Sequence, residues 1–202
     1  MHRRAATVNN VDTRAIGPKD AMQRRRIYQL KVTLVDTEPP IWRQLLVPGG
    51  FTLDRVSRVI QLSLGWQGYH LHSFEIDGEQ YGEPDPLEEL ELEDELEVRL
   101  DAIATEGKQF TYVYDFGDWW EHEVLVERVF DADPDERYPV CLAGERAGPP
   151  EDVGGASGYA DLLAVLADPA KPDPANLRDW LADFEPDRWD AAQASTLLRR
   201  MT

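Results

Sequence analysis

Ile27-Tyr28-Gln29-Leu30-Lys31-Val32-Thr33-Leu34-Val35, Asp36-Thr37-Glu38-Pro39-Pro40 and Ile41-Trp42-Arg43-Gln44-Leu45-Leu46-Val47 form the stretch on which the fold turns. Tyr28, Leu30, Val32 and Leu34 alternate with Gln29, Lys31 and Thr33, the two-residue period of a half-buried strand. The segment 36–40 is turn chemistry, and 41–47 reads as the returning strand of a hairpin. Pro48-Gly49-Gly50 ends it. The period then changes. Thr52 stands where a helix N-cap belongs, Leu53, Val56, Val59, Ile60 and Leu64 share one helical face, and Gly65 supplies the stop. The run 70–76 alternates again, with His70, His72, Phe74 and Ile76 on one side, before an Asp77-Gly78 turn. Strands are also expected at 110–114 and 121–129, the latter with Trp120, His122, Val124 and Val126 on one face and Glu121, Glu123 and Glu127 on the other. The expected class is α+β: a mainly antiparallel sheet with a β-grasp-like ββαβ core and a helical C-terminal part.

Outward from this core the signals weaken. Ten carboxylates fall within 83–101, yet Leu87, Leu90, Leu92, Leu96, Val98 and Leu100 recur among them, so a short strand over 96–100 with a solvated acidic face is expected. Pro, Gly and Asp dominate 131–157, which reads as a long loop. Three helices should follow, with Ser157 capping 158–167, Asn176 capping 177–184 and Asp190 capping 191–201.

At 202 residues the chain suits one domain over 27–202, preceded by a flexible basic arm at 1–26. The arm carries a net +5 and the rest −23, within an overall −18. So acidic a body repels phosphate backbones; nucleic acid is expected only through the arm, if at all. A basic protein partner suits the body instead. No apolar run is long enough to span a membrane, residues 1–7 lack a signal peptide's apolar core, and a single cysteine excludes an internal disulfide. A soluble cytoplasmic protein is the expectation.

Several ordered motifs carry a resemblance. They are Pro40-Ile41-Trp42-Arg43, Gly65-Trp66 leading to His70-Leu71-His72-Ser73-Phe74, and Tyr112-Val113-Tyr114-Asp115-Phe116-Gly117-Asp118 with Trp120-Glu121-His122. Tyr138-Pro139-Val140-Cys141-Leu142-Ala143-Gly144 and Pro149-Pro150-Glu151-Asp152-Val153-Gly154-Gly155, followed by Gly158-Tyr159, complete the series. Across 28–189 the chain resembles the plasmid pRiA4b ORF-3-like family, which implies a fold more than an activity, and for some members a mobile-element setting. The family often has cysteines where this chain has Gly148 and Val153, and a histidine where it has Ser57. Only Cys141 remains here, so a thiolate zinc site is not expected.

Two functional readings stand open. One is a non-catalytic accessory or interaction module, since no Ser-His-Asp order, P-loop, dinucleotide fingerprint or H-E-x-x-H occurs. The other is a metal-dependent enzyme, a hydrolase for instance. His70 and His72 lie two apart on a strand face and could join His122 around a divalent transition metal. Asp115, Asp118, Glu151 or Asp152 would complete the shell or act as acid and base. Against this, the histidines end apolar faces and could be buried and neutral. Asp115-Phe116-Gly117 copies the metal-binding tripeptide of protein kinases, but none of the other kinase motifs is present. Cys141 with His122 is a further nucleophile pairing, weighed against a small buried thiol. Trp42, Trp66, Trp119 and Trp120 could be core anchors or the lining of an apolar pocket.

Overall fold

The computed structural model describes residues 25–84, 92–173 and 176–201. Its frame is an eight-stranded sheet made of β1 (Arg26–Leu34), β2 (Trp42–Pro48), β3 (His72–Ile76), β4 (Glu79–Gly82), β5 (Glu93–Asp94), β6 (Gln109–Tyr114), β7 (Trp120–Asp131) and β8 (Val140–Glu145). The strand order is β5-β4-β3-β6-β7-β1-β2-β8, and every pairing but β4 with β5 is antiparallel. The hairpin forms as read, Ile27 opposite Pro48 and Thr33 opposite Trp42. Its strand β1 takes β7 as second neighbour, with Val32 opposite Val124 and Leu34 opposite His122.

Helix α1 (Leu53–Leu64) lies over the inner face of this sheet. Its Leu53, Val56, Val59 and Ile60 are fully buried together with Leu30, Leu45, Phe74, Val124 and Val126, while Glu123, one residue from Val124, is exposed. Gly65 ends the helix at φ 92, its N–H reaching back to Gln61 and Leu62 carbonyls, a left-handed turn that a side chain would strain. Thr52 occupies the N-cap position but makes no side-chain cap bond.

A buried cation clasps one end of the core. Arg43, without solvent exposure, donates to the carbonyls of Ser63, Trp42, Glu145 and Arg146 and stacks on Trp189 at 4.8 Å. It thereby ties the last turn of α1 to the end of β8. Burial lowers its pKa to about 10, so it stays charged at neutral pH.

Three expectations need correction. Residues 96–100 do not form a strand: Arg99 makes one bridge to Thr52, and Leu100 opens the short helix α2 (Leu100–Ile103). The segment serves the start of α1 instead of the sheet, with Leu100 N–H on Phe51 O and Leu53 N–H on Val98 O. The presumed loop 131–157 contains β8, which pairs Leu45 with Cys141 at the sheet edge. At the C-terminus α3 (Gly155–Ala167) starts at the left-handed Gly154 and not at Ser157, and α4 (Leu177–Trp180) stops one turn short. Asp190 does cap α5 (Ala191–Leu198), accepting from Ala192 and Gln193 N–H at 2.7 and 3.1 Å. Residues 1–24 of the basic arm, with Leu87 and Leu90, lie outside the described residues. No helix among the described residues is long and apolar enough to cross a membrane.

Candidate functional site

Strands β6 and β7 turn the same face inward, pairing Tyr112 with His122 and Tyr114 with Trp120. Trp66, just beyond α1, stacks on Tyr114 with ring centroids 4.8 Å apart and its indole N–H on Pro149 O at 2.8 Å. That bond brings the 149–155 loop over the end of β6. Burial first, and Glu151 second, push the Tyr114 phenol well above its usual value, so it remains a donor. It donates to Glu151 Oε1 and Oε2 at 3.2 and 3.3 Å, and Gln67 N–H adds a bond to Oε1 at 2.8 Å.

Two carboxylates flank this glutamate on reversed backbone. Asp115 leaves β6 at φ 59 and Asp152 sits at φ 57, a left-handed conformation uncommon for residues with a Cβ but tolerated by Asp. Asp115 N–H is fixed to Leu71 O, and its Oδ1 accepts from Gly117 and Asp118 N–H at 2.9 and 3.3 Å. Oδ2 is left 3.5 Å from His70 Nε2. Asp152 Oδ1 lies 3.2 Å from the same nitrogen and Glu151 Oε2 3.8 Å from it. Three carboxylates therefore converge on one imidazole nitrogen that is itself shut off from solvent and makes no hydrogen bond of acceptable geometry.

His70, Asp115 and Asp152 are the group of His, Cys, Asp and Glu, among the described residues, whose donor atoms gather within 4.8 Å. Ligands about 2.1 Å from a shared ion stand about 3–3.5 Å apart, so the His70 contacts to Asp152 and Asp115 already match. One imidazole with carboxylates is a donor set for zinc, manganese or iron.

The other sequence candidates go elsewhere. His72 Nε2 meets the buried Glu95 Oε2 at 2.9 Å. His122 is fully buried, its Nδ1 3.2 Å from Tyr112 O and its ring edge-on to Trp66; burial lowers its pKa to about 4, so it is neutral. The expected triad of His70, His72 and His122 is thus not gathered, and His70 alone of the three joins the acidic group. Asp118 accepts from Gly154 N–H at 3.0 Å, strapping the 115–119 turn to the loop. Gly155 is required there, because a Cβ would lie 2.3 Å from Asp118 O. Cys141 and His122 do not pair, since β1 and β2 lie between their strands, and burial raises the thiol to about 11. Trp66 and Trp120 are core, whereas Trp119 is 59% exposed. Glu95 was hidden in an acidic run that reads as solvated, and no local signal marks it as the buried member.

Fold and site together define a mixed α+β domain that carries, where β3 begins and β6 ends, a histidine ringed by carboxylates. The chain belongs to the plasmid pRiA4b ORF-3-like protein family, which it matches over residues 26–193. It is 38% identical over 176 residues to the uncharacterized protein y4hQ of Sinorhizobium fredii, covering 84% of this chain and 86% of that one. Among solved structures it is similar to the protein of unknown function MM3350 from Methanosarcina mazei Go1, with a TM-score of 0.78 and 32% identity over 84% of this chain and 98% of the other. These relatives' names assign no activity.

Proposed function

We propose that the protein is an accessory module built around a divalent transition-metal site, with His70, Asp115 and Asp152 as ligands and Glu151 beside them. The observation that carries this reading is the unbonded His70 Nε2 with three carboxylates within 3.8 Å of it. A divalent ion would neutralise most of that charge and give the nitrogen a partner. Three protein ligands leave coordination positions for water, the arrangement of metal-assisted hydrolysis. Glu151, held by Tyr114 and Gln67, is the carboxylate beside these ligands that would serve as base in such a reaction. The plasmid in the family's name supports a mobile-element setting.

Elemental analysis and calorimetric titration with Zn²⁺ or Mn²⁺, on protein purified without a His-tag, test the site. One equivalent should bind, and His70→Ala and Asp152→Asn should each lose it, whereas His72→Ala should keep it. Less than about a tenth of an equivalent under excess ion would leave only a histidine–carboxylate cluster without a metal, since a well-formed site binds tightly.

A further inference from the structure

Three large side chains are exposed on segments that border this site. Tyr69, Leu71 and Trp119 are 57%, 46% and 59% exposed, and all three adjoin Asp115 or Asp152. Tyr69 OH contacts Asp152 Oδ2 at 3.4 Å, Leu71 O receives the Asp115 N–H, and Trp119 N–H bonds Asp115 O at 2.6 Å. Phe116 lies 6.1 Å from the Trp119 ring, extending the patch. Trp119 is held outward at φ 56, a conformation that a bulky side chain enters only at a cost. Large side chains exposed together mark a contact surface more often than an accident of packing, and strain retained at an exposed position points the same way.

We infer that this aromatic rim and the carboxylates inside it dock a Lys/Arg-rich segment of a partner protein. Guanidinium and ammonium groups lie favourably on Trp and Tyr faces. Asp115, Asp118, Glu151 and Asp152 supply the opposite charge on a body of net −23. Four carboxylates outnumber the charge of one divalent ion, so the surface stays anionic with the metal site filled. The same charge turns away phosphate-bearing ligands. This inference goes beyond the metal reading and does not require it.

Binding of a fluorescent ten-residue Arg/Lys peptide to the full chain tests it, with a Glu-rich peptide as control. Trp119→Gly removes the ring and suits the positive φ, and Tyr69→Ala removes the other platform. Each should weaken the basic peptide at least tenfold, and binding should fall as salt rises, while the control does not bind. Equal affinity of wild type and both variants would reduce the effect to general attraction by an acidic body and overturn the inference. So would absence of binding at low salt. Trp119→Gly removes no side-chain bond to a proposed ligand, so Zn²⁺ titration of that variant reads the metal site independently, whereas Tyr69→Ala also removes the hydroxyl contact to Asp152.

Discussion

His122 is a single residue whose neutrality the fold enforces. Burial lowers its pKa from 6.5 to about 4, so the folded protein resists a proton that the unfolded chain accepts. The stability that depends on its neutrality is fully present above pH 6.5 and is lost as pH falls toward 4, by roughly 3 kcal/mol in all. His122→Phe keeps the ring packing against Trp66 and abolishes this titration. Urea midpoints at pH 7 and pH 4.5 should therefore diverge, with wild type losing more stability on acidification than the variant. Parallel losses would contradict a neutral buried imidazole. His70 and His72, of identical residue type and close in sequence, have carboxylate neighbours in the structure. Nothing in the residue itself announces which neighbour it receives.

Among the elements, β7 and the β2–α1 junction carry the sharpest tests. Val124 faces α1 in the core and Glu123 faces out, so Val124→Asp places an unpaired charge where no water reaches. It should cost more than about 4 kcal/mol and unfold the domain, whereas Glu123→Lys should change the urea midpoint little. Circular dichroism separates the two outcomes. Arg43→Met removes the charge that four carbonyls share and leaves them facing an apolar thioether. A loss of ~3 kcal/mol or more in urea unfolding is expected, because breaking a buried charged cluster strands the partners. Arg43→Lys should recover only part of it, since an ammonium cannot span the fork that reaches Ser63, Glu145 and Arg146. A lysine variant as stable as wild type would show that charge alone, without the planar fork, makes the clasp.

For the whole molecule, the metal site makes stability depend on free ion. Binding to the folded state alone at a hundredfold excess over Kd adds about 2.7 kcal/mol, or about 5–10 °C in Tm for a domain of this size. Thermal melts with Zn²⁺ or Mn²⁺, then with excess chelator, should show and reverse that rise; His70→Ala should show neither. An unchanged wild-type Tm under saturating ion would remove the site from the fold's energetics.

The sequence by itself determined the hairpin, α1 and the inward face of β7, because each is written in a local period. Tyr28, Leu30, Val32, Leu34, Val56, Ile60, Val124 and Val126 are buried because alternation or helical spacing forced them to one side. It also offered Asp115, Glu151 and Asp152, on turn-rich segments, as candidate ligands or acid and base. Tertiary structure alone decided which histidine those carboxylates meet. His70 meets Asp115 because Asp115 N–H is fixed to Leu71 O beside the β3–β6 pairing. It meets Glu151 and Asp152 because the Trp66 indole, Gln67, Tyr114 and Asp118 hold the 149–155 loop over β6, the indole bond joining residues 83 apart in the chain. Tertiary structure likewise decided that β8 exists, since an edge strand of small and mixed residues is fixed by its partner β2 and by α5 rather than by its own pattern.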